Sequence, residues 1–146
     1  MVLITSWNSY GLCDVDKMKR VLNLFDDRNY DIIALQETHW KDKFIEDYKH
    51  VWNGQNYYNN VDTSSKGVAF FIRNNIKSSI EHVNSFNGRF LQITYKENDV
   101  KYDIINIYSP NNVKKVLFFK KVSDQLPSST RLIILGDFIN TLAELN

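Results

Sequence analysis

The chain has a single cysteine, Cys13, among its 146 residues. An internal disulfide is impossible, which excludes a small secreted scaffold held by disulfide staples. An intracellular setting is the expectation. Net charge is also lacking: 18 Lys and Arg stand against 17 Asp and Glu, for a formal +1. A protein that gathers nucleic acid through its overall field is strongly basic, so any nucleic-acid contact here must be local. Long apolar runs are absent as well. No stretch approaches the length a bilayer requires, and no membrane association is expected. The opening "MVLITSWNSYG" is too short, and too polar after Ile4, to read as a secretory signal.

What the chain does have is enough length for one domain with a hydrophobic core. "MVLITSW" reads as a strand, and "SYGLCD" as a turn broken at Gly11. Met18, Val21, Leu22 and Phe25 follow at helical spacing, with Asp14 or Asp16 available as the cap. "DIIALQE" is a second strand, and its four consecutive apolar residues, Ile32 to Leu35, imply burial on both faces. Strand, helix, strand predicts a parallel pair. Past Trp52 the pattern turns to short strands rich in β-branched and aromatic residues: "GVAFFIR", "SSIEHV", "RFLQITY" and "YDIINIY". "KENDVK" reads as a hairpin loop. "NVKKVLFFKKVSDQL" predicts a helix with Val116, Phe119, Val122 and Leu126 mostly on one side, closed by Pro127. "RLIILGD" is the last strand. One α/β domain with a mixed sheet or sheets is the fold class.

Polar side chains arrive where these strands end. Asn8 ends the first strand, Glu37 the second, Tyr108 the strand "IINIY", and Asp137 the last. Asn111 follows Tyr108 closely. Each has an ordinary structural explanation: a turn asparagine, a solvated strand end, a tyrosine with its ring in the core, a turn or capping aspartate. Ligands of α/β sheets gather at the C-terminal ends of strands, and the joint occurrence points there. Magnesium takes hard oxygen ligands, namely one or two carboxylates, an amide carbonyl, water and phosphate oxygens. Asn8 and Glu37 carry such oxygens. An aspartate beside them can orient or deprotonate water, and a tyrosine hydroxyl can hydrogen-bond a phosphate oxygen as charge grows. The set suits hydrolysis of a phosphoester.

The phrases "ITSWNSYGL", "DIIALQETHW", "KGVAFFIR", "GRFLQI", "INIYSPN" and "LGDFIN" occur in that order along essentially the whole chain. Together they resemble the endonuclease/exonuclease/phosphatase superfamily, which includes exonuclease III-like abasic endonucleases, DNase I-like nucleases and the endonucleases of LINE-type retrotransposons. "QETHW", "INIYSPN" and "GDFINTL" look most like the LINE-type branch. The resemblance implies a DNase I-like two-sheet α/β sandwich and a Mg²⁺- or Mn²⁺-dependent nuclease acting on the DNA phosphate backbone. It implies that Asn8 and Glu37 are metal ligands, that Tyr108 contacts the scissile phosphate, and that Asn111 supports the substrate. Asp137 then activates or positions the attacking water, with Asn140 beside it. A phosphatase on the same fold, or a non-catalytic remnant, are the other readings.

Two departures from the family pattern carry expectations. The family places an asparagine two residues after the aspartate, whereas Ile139 intervenes between Phe138 and Asn140 here. Asn140 then reaches the site only if the backbone bulges or turns. The family's terminal Ser-Asp-His or Asp-His motif has no counterpart before Asn146. Residues 1–146 are thus expected to form a single incomplete domain, the first sheet plus the start of the second. Impaired catalysis is expected with it, as is a bare apolar sheet face open to self-association. His39 is expected outside the catalytic set, His50 and His82 in surface or packing roles, Trp7 in the core and Arg89 in a structural role. Lys114, Lys115, Lys120 and Lys121 read as the solvated face of a helix, with a flank to a DNA groove as the alternative.

Overall fold

The computed structural model describes residues 1–61, 66–111, 114–128 and 131–138. In chain order the elements are β1 (Ile4–Asn8), α1 (Val15–Asp27), β2 (Ile32–Gln36), α2 (Asp42–Tyr48), β3 (Gly54–Asn59), β4 (Val68–Arg73), β5 (Ile80–Phe86), β6 (Phe90–Glu97), β7 (Val100–Tyr108), α3 (Lys115–Gln125) and β8 (Leu132–Asp137). They form two four-stranded sheets, ordered β1-β2-β4-β3 and β5-β6-β7-β8. The expected two-sheet α/β sandwich is therefore present. Pairs β1-β2 and β7-β8 are parallel, and the other neighbours are antiparallel.

Side-chain alternation along the strands sorts the core into three layers. Ile33 and Leu35 point outward onto Met18, Leu22 and Phe25 of α1. Ile32 and Ala34 point inward, where they meet Leu91, Ile93 and Ile104 of the opposite sheet. Ile105 and Ile107 of β7 point out the other way, onto Phe118 and Val122 of α3. Phe70 and Phe71 are adjacent and both fully buried, one in each of two layers. Each such burial stabilises by about 2 kcal/mol.

Several local expectations hold. Asp14 caps α1 by accepting from the Lys17 amide at 2.7 Å. β2 is buried along its whole length. Asn98 and Asp99, both at positive φ, make the two-residue turn between β6 and β7.

Two expectations need correction, and two elements had no expectation. The inner face of the first sheet is not bare, because the second sheet packs across it. Exposed apolar side chains at the sheet edges include Leu3 and Trp7 by β1 and Ile134 and Phe138 by β8. The buried stripe of α3 is Phe118 and Val122, while Val116 and Leu126 are exposed. Sheet contact selects that stripe, because Phe118 meets Phe86 edge-on. Finally, α2 and β3 lie where the sequence pattern is uninformative. α2 has only seven residues, and β3, "GQNYYN", is a polar edge strand.

Candidate metal and phosphate site

The strands that end together are β1 and β2 of one sheet and β7 and β8 of the other. Inward-facing positions climb each strand to that end. Ile4 and Ser6 lead to Asn8, Ile104 and Asn106 lead to Tyr108, and Ile133 and Leu135 lead to Asp137. Apolar residues fill the deep layers and polar ones the last. Tyr108 and Asp137 are register partners across the parallel β7-β8 pair. Gly136 permits their approach: it sits at φ +151°, and a Cβ there would lie 2.0 Å from the Ile107 carbonyl oxygen.

Asn8 links the two sheets. Its Nδ2 donates to Glu37 Oε1 at 2.8 Å and to Asp137 Oδ2 at 2.6 Å. Its Oδ1 accepts from the Tyr10 amide at 3.0 Å. Glu37 is just past the end of β2 at φ +54°, a left-handed conformation that costs a non-glycine residue about 1 kcal/mol or more. The loops hold that turn. Ser9 Oγ donates to the carbonyls of Gln36 and Glu37, each at 3.0 Å. Lys17 Nζ donates to the carbonyls of Ser9 and Gly11, at 2.8 and 2.6 Å.

Tyr108 is buried, and its phenol is pushed up to about 12, by burial first and then by its hydrogen bond to the Glu37 carboxylate. It is a proton donor at neutral pH. Arg89 fixes the ring: its guanidinium carbon lies 4.6 Å from the ring centroid, and Nη1 donates to the Tyr108 carbonyl at 3.2 Å. The structural role expected for Arg89 is thus specific, since it braces Tyr108. His39 Nε2 stands 3.5 Å from Glu37 Oε2.

Of the residues singled out in the sequence, Asn8, Glu37, Tyr108 and Asp137 come together. Asn111 is exposed, three positions beyond Tyr108. Asn140 and the intervening Ile139 lie outside the described residues. Trp7 departs from its expected core position: it is 42% exposed, meets Phe25 edge-on at 5.6 Å, and lines an open cleft with Asn8 and Asp137. Lys114, Lys120 and Lys121 are exposed, as expected of a solvated face. Lys114 and Lys121 line a cleft of about 550 Å³ with Lys66 and Arg89.

Sequence reading passed over Gln36 and Asn106, which lie directly beneath the site, 1% and 0% exposed. Their signal was a polar residue at an inward position of an otherwise apolar strand. The donor set fits a hard divalent cation: two carboxylates are drawn onto one amide, and an amide oxygen stands on the same side chain. Asn8 now turns its N–H₂ to the carboxylates, so ligation through Oδ1 requires the amide to turn over. Among the described residues, no group of three or more His, Cys, Asp or Glu is arranged to hold a metal. Any ligation here relies on the Asn8 amide and on water or phosphate oxygens.

Residues 5–138 match the model of the Endonuclease/Exonuclease/phosphatase family. The chain belongs to that family. It is 27% identical over 144 residues to the Transposon TX1 uncharacterized 149 kDa protein of Xenopus laevis, which covers 95% of this chain and 11% of that protein. Among solved structures it resembles the 3′ phosphatase NExo from Neisseria bound to a product DNA hairpin. That match has a TM-score of 0.68 at 22% identity, over 94% of this chain and 58% of the other. It also resembles the endonuclease domain of TRAS1, a telomere-specific non-LTR retrotransposon, with a TM-score of 0.63 at 12% identity, over 92% and 58%. These matches agree with the retrotransposon resemblance of "QETHW" and "INIYSPN" and with the DNase I-like fold. The chain spans less than two thirds of the length of each of these relatives.

Proposed function

We propose that the chain carries the metal- and phosphate-binding part of a divalent-metal-dependent DNA endonuclease of retrotransposon or abasic-site type. The observation that carries this reading is the meeting of Glu37 and Asp137 on the Asn8 amide, from two sheets. Glu37 and Asn8 would hold Mg²⁺ or Mn²⁺, which when bound polarises a phosphoryl oxygen and neutralises charge on the leaving oxygen. Asp137 orients the attacking water and accepts its proton. Tyr108, protonated at neutral pH, turns its O–H from Glu37 to a non-bridging phosphate oxygen, where negative charge grows in the transition state. Asn111 and Asn140 support the substrate and the water. The cleft lined by Lys66, Arg89, Lys114 and Lys121 supports a polyanion over a small phosphoester, because it places local positive charge on a near-neutral protein.

A phosphatase reading on the same fold draws support from the likeness to a 3′ phosphatase bound to a DNA hairpin.

The test uses supercoiled plasmid, a 3′-phosphorylated DNA hairpin and an inositol phosphate, each with excess protein and Mg²⁺. Nicking that is removed by chelator and by Glu37→Gln supports the endonuclease. Phosphate release from the hairpin alone supports the phosphatase. Three inert substrates, together with no Mn²⁺ binding, would leave a non-catalytic remnant and overturn the proposal.

A further inference from the structure

Two primary amides, Gln36 and Asn106, are buried between the sheets one layer below the site, in a seam that is mostly apolar. Gln36 Nε2 donates to Asn106 Oδ1 at 2.7 Å and to Ser6 Oγ at 3.0 Å. Asn106 Nδ2 donates to the backbone carbonyls of Leu35, at 2.9 Å, and Ala69, at 3.0 Å. One asparagine of β7 thus ties itself to β2 and β4 directly and, through Gln36, to β1. Apolar contact is non-directional and tolerates sliding of one sheet over the other. Hydrogen bonds in a low-dielectric interior are directional, and they are costly to leave unmade.

The placement is telling. Gln36 immediately precedes Glu37, Ser6 is two residues before Asn8 on the same face, and Asn106 is two before Tyr108 on the same face. The network therefore joins the strand positions that carry the site, and it does so across the gap the site must bridge.

We propose that the Gln36–Asn106 amide pair is a positioning device that sets one sheet against the other, so that Asn8 and Glu37 meet Tyr108 and Asp137. This goes beyond the endonuclease reading and rests on it only where metal affinity is the readout. An aliphatic pair of the same size would fill the volume but leave the spacing to packing alone.

The experiment compares Asn106→Leu and Gln36→Met with Ile104→Val, a control on the same face of β7 that removes one methylene from the seam. Three quantities are read: the thermal midpoint, the side-chain N–H₂ chemical shifts of Asn8 without metal, and the Mn²⁺ dissociation constant. All three variants are expected to melt earlier. Only the two amide variants should move the Asn8 resonances toward free-amide values and weaken Mn²⁺ binding at least tenfold. Folded amide variants with wild-type Asn8 shifts and Mn²⁺ affinity would overturn the proposal, as would an Ile104→Val variant that changes both equally. Loss of folding in both amide variants would also overturn it, since the fold rather than the site would then require the pair. If the wild-type chain binds no Mn²⁺ while the Asn8 resonances respond as expected, positioning stands and the metal reading falls.

Discussion

Asn8 and Asp137, 129 positions apart in the chain, are joined by a 2.6 Å hydrogen bond between Nδ2 and Oδ2. The bond spans from the first strand of one sheet to the last described strand of the other, so it exists only once the sandwich has closed. It also leaves a neutral amide holding two carboxylates, an arrangement that a cation would relieve.

Metal should therefore stabilise the folded chain. Saturating Mn²⁺ at about a hundred times its dissociation constant would add about 2.7 kcal/mol, a rise in melting temperature of roughly 5–10 °C for a domain of this size. Calorimetry with and without chelator checks this. Glu37→Gln should erase the increment, and an unchanged melting point in wild type would refute it.

Gly136→Ala tests the approach of β8 to β7. The new Cβ would meet the Ile107 carbonyl oxygen at 2.0 Å, at a backbone φ that disfavours any side chain. A loss of about 3 kcal/mol or more is expected in urea unfolding. The displaced Asp137 should weaken Mn²⁺ binding as well. A neutral substitution would show that β8 can shift freely.

Arg89→Met removes both the cation over the Tyr108 ring and a hydrogen bond to its carbonyl. A loss of about 1–2 kcal/mol is expected. Because Arg89 favours the phenolate, Tyr108 should ionise at still higher pH in this variant, as read by absorbance at alkaline pH. Ionisation at lower pH would contradict the bracing role.

Part of the alkaline stability follows from two phenols. Tyr58, bonded to Glu46, and Tyr108 are both pushed up from 10.0 to about 12. In that window the unfolded chain releases these protons first, so it binds fewer than the folded chain and stability falls as pH rises. The contribution is complete below pH 10 and lost on passing 12. Urea unfolding between pH 8 and 12 should show the decline. The Tyr58→Phe, Tyr108→Phe double variant should show a shallower one, and equal slopes would argue against both assignments.

Strand and helix identity were legible in local pattern. The α1 stripe, the buried run of β2 and the turn at Asn98–Asp99 each rest on interactions within a few residues. α2, β3 and the true buried stripe of α3 were not legible, because contact with a sheet rather than local preference selects them. The identities at the strand ends, Asn8, Glu37, Tyr108 and Asp137, could be picked out from composition and order, since an oxygen-bearing side chain after an apolar strand stands out. That these four share one site could not be computed from the chain's periodicity. Nor could the exposure of Trp7, the bracing of Tyr108 by Arg89, or the Gln36–Asn106 pair beneath the site. Alternation along a strand says which face a residue takes, but the partner across that face is set by how two sheets dock. That is a long-range choice made by packing and by directional bonds between residues far apart in sequence.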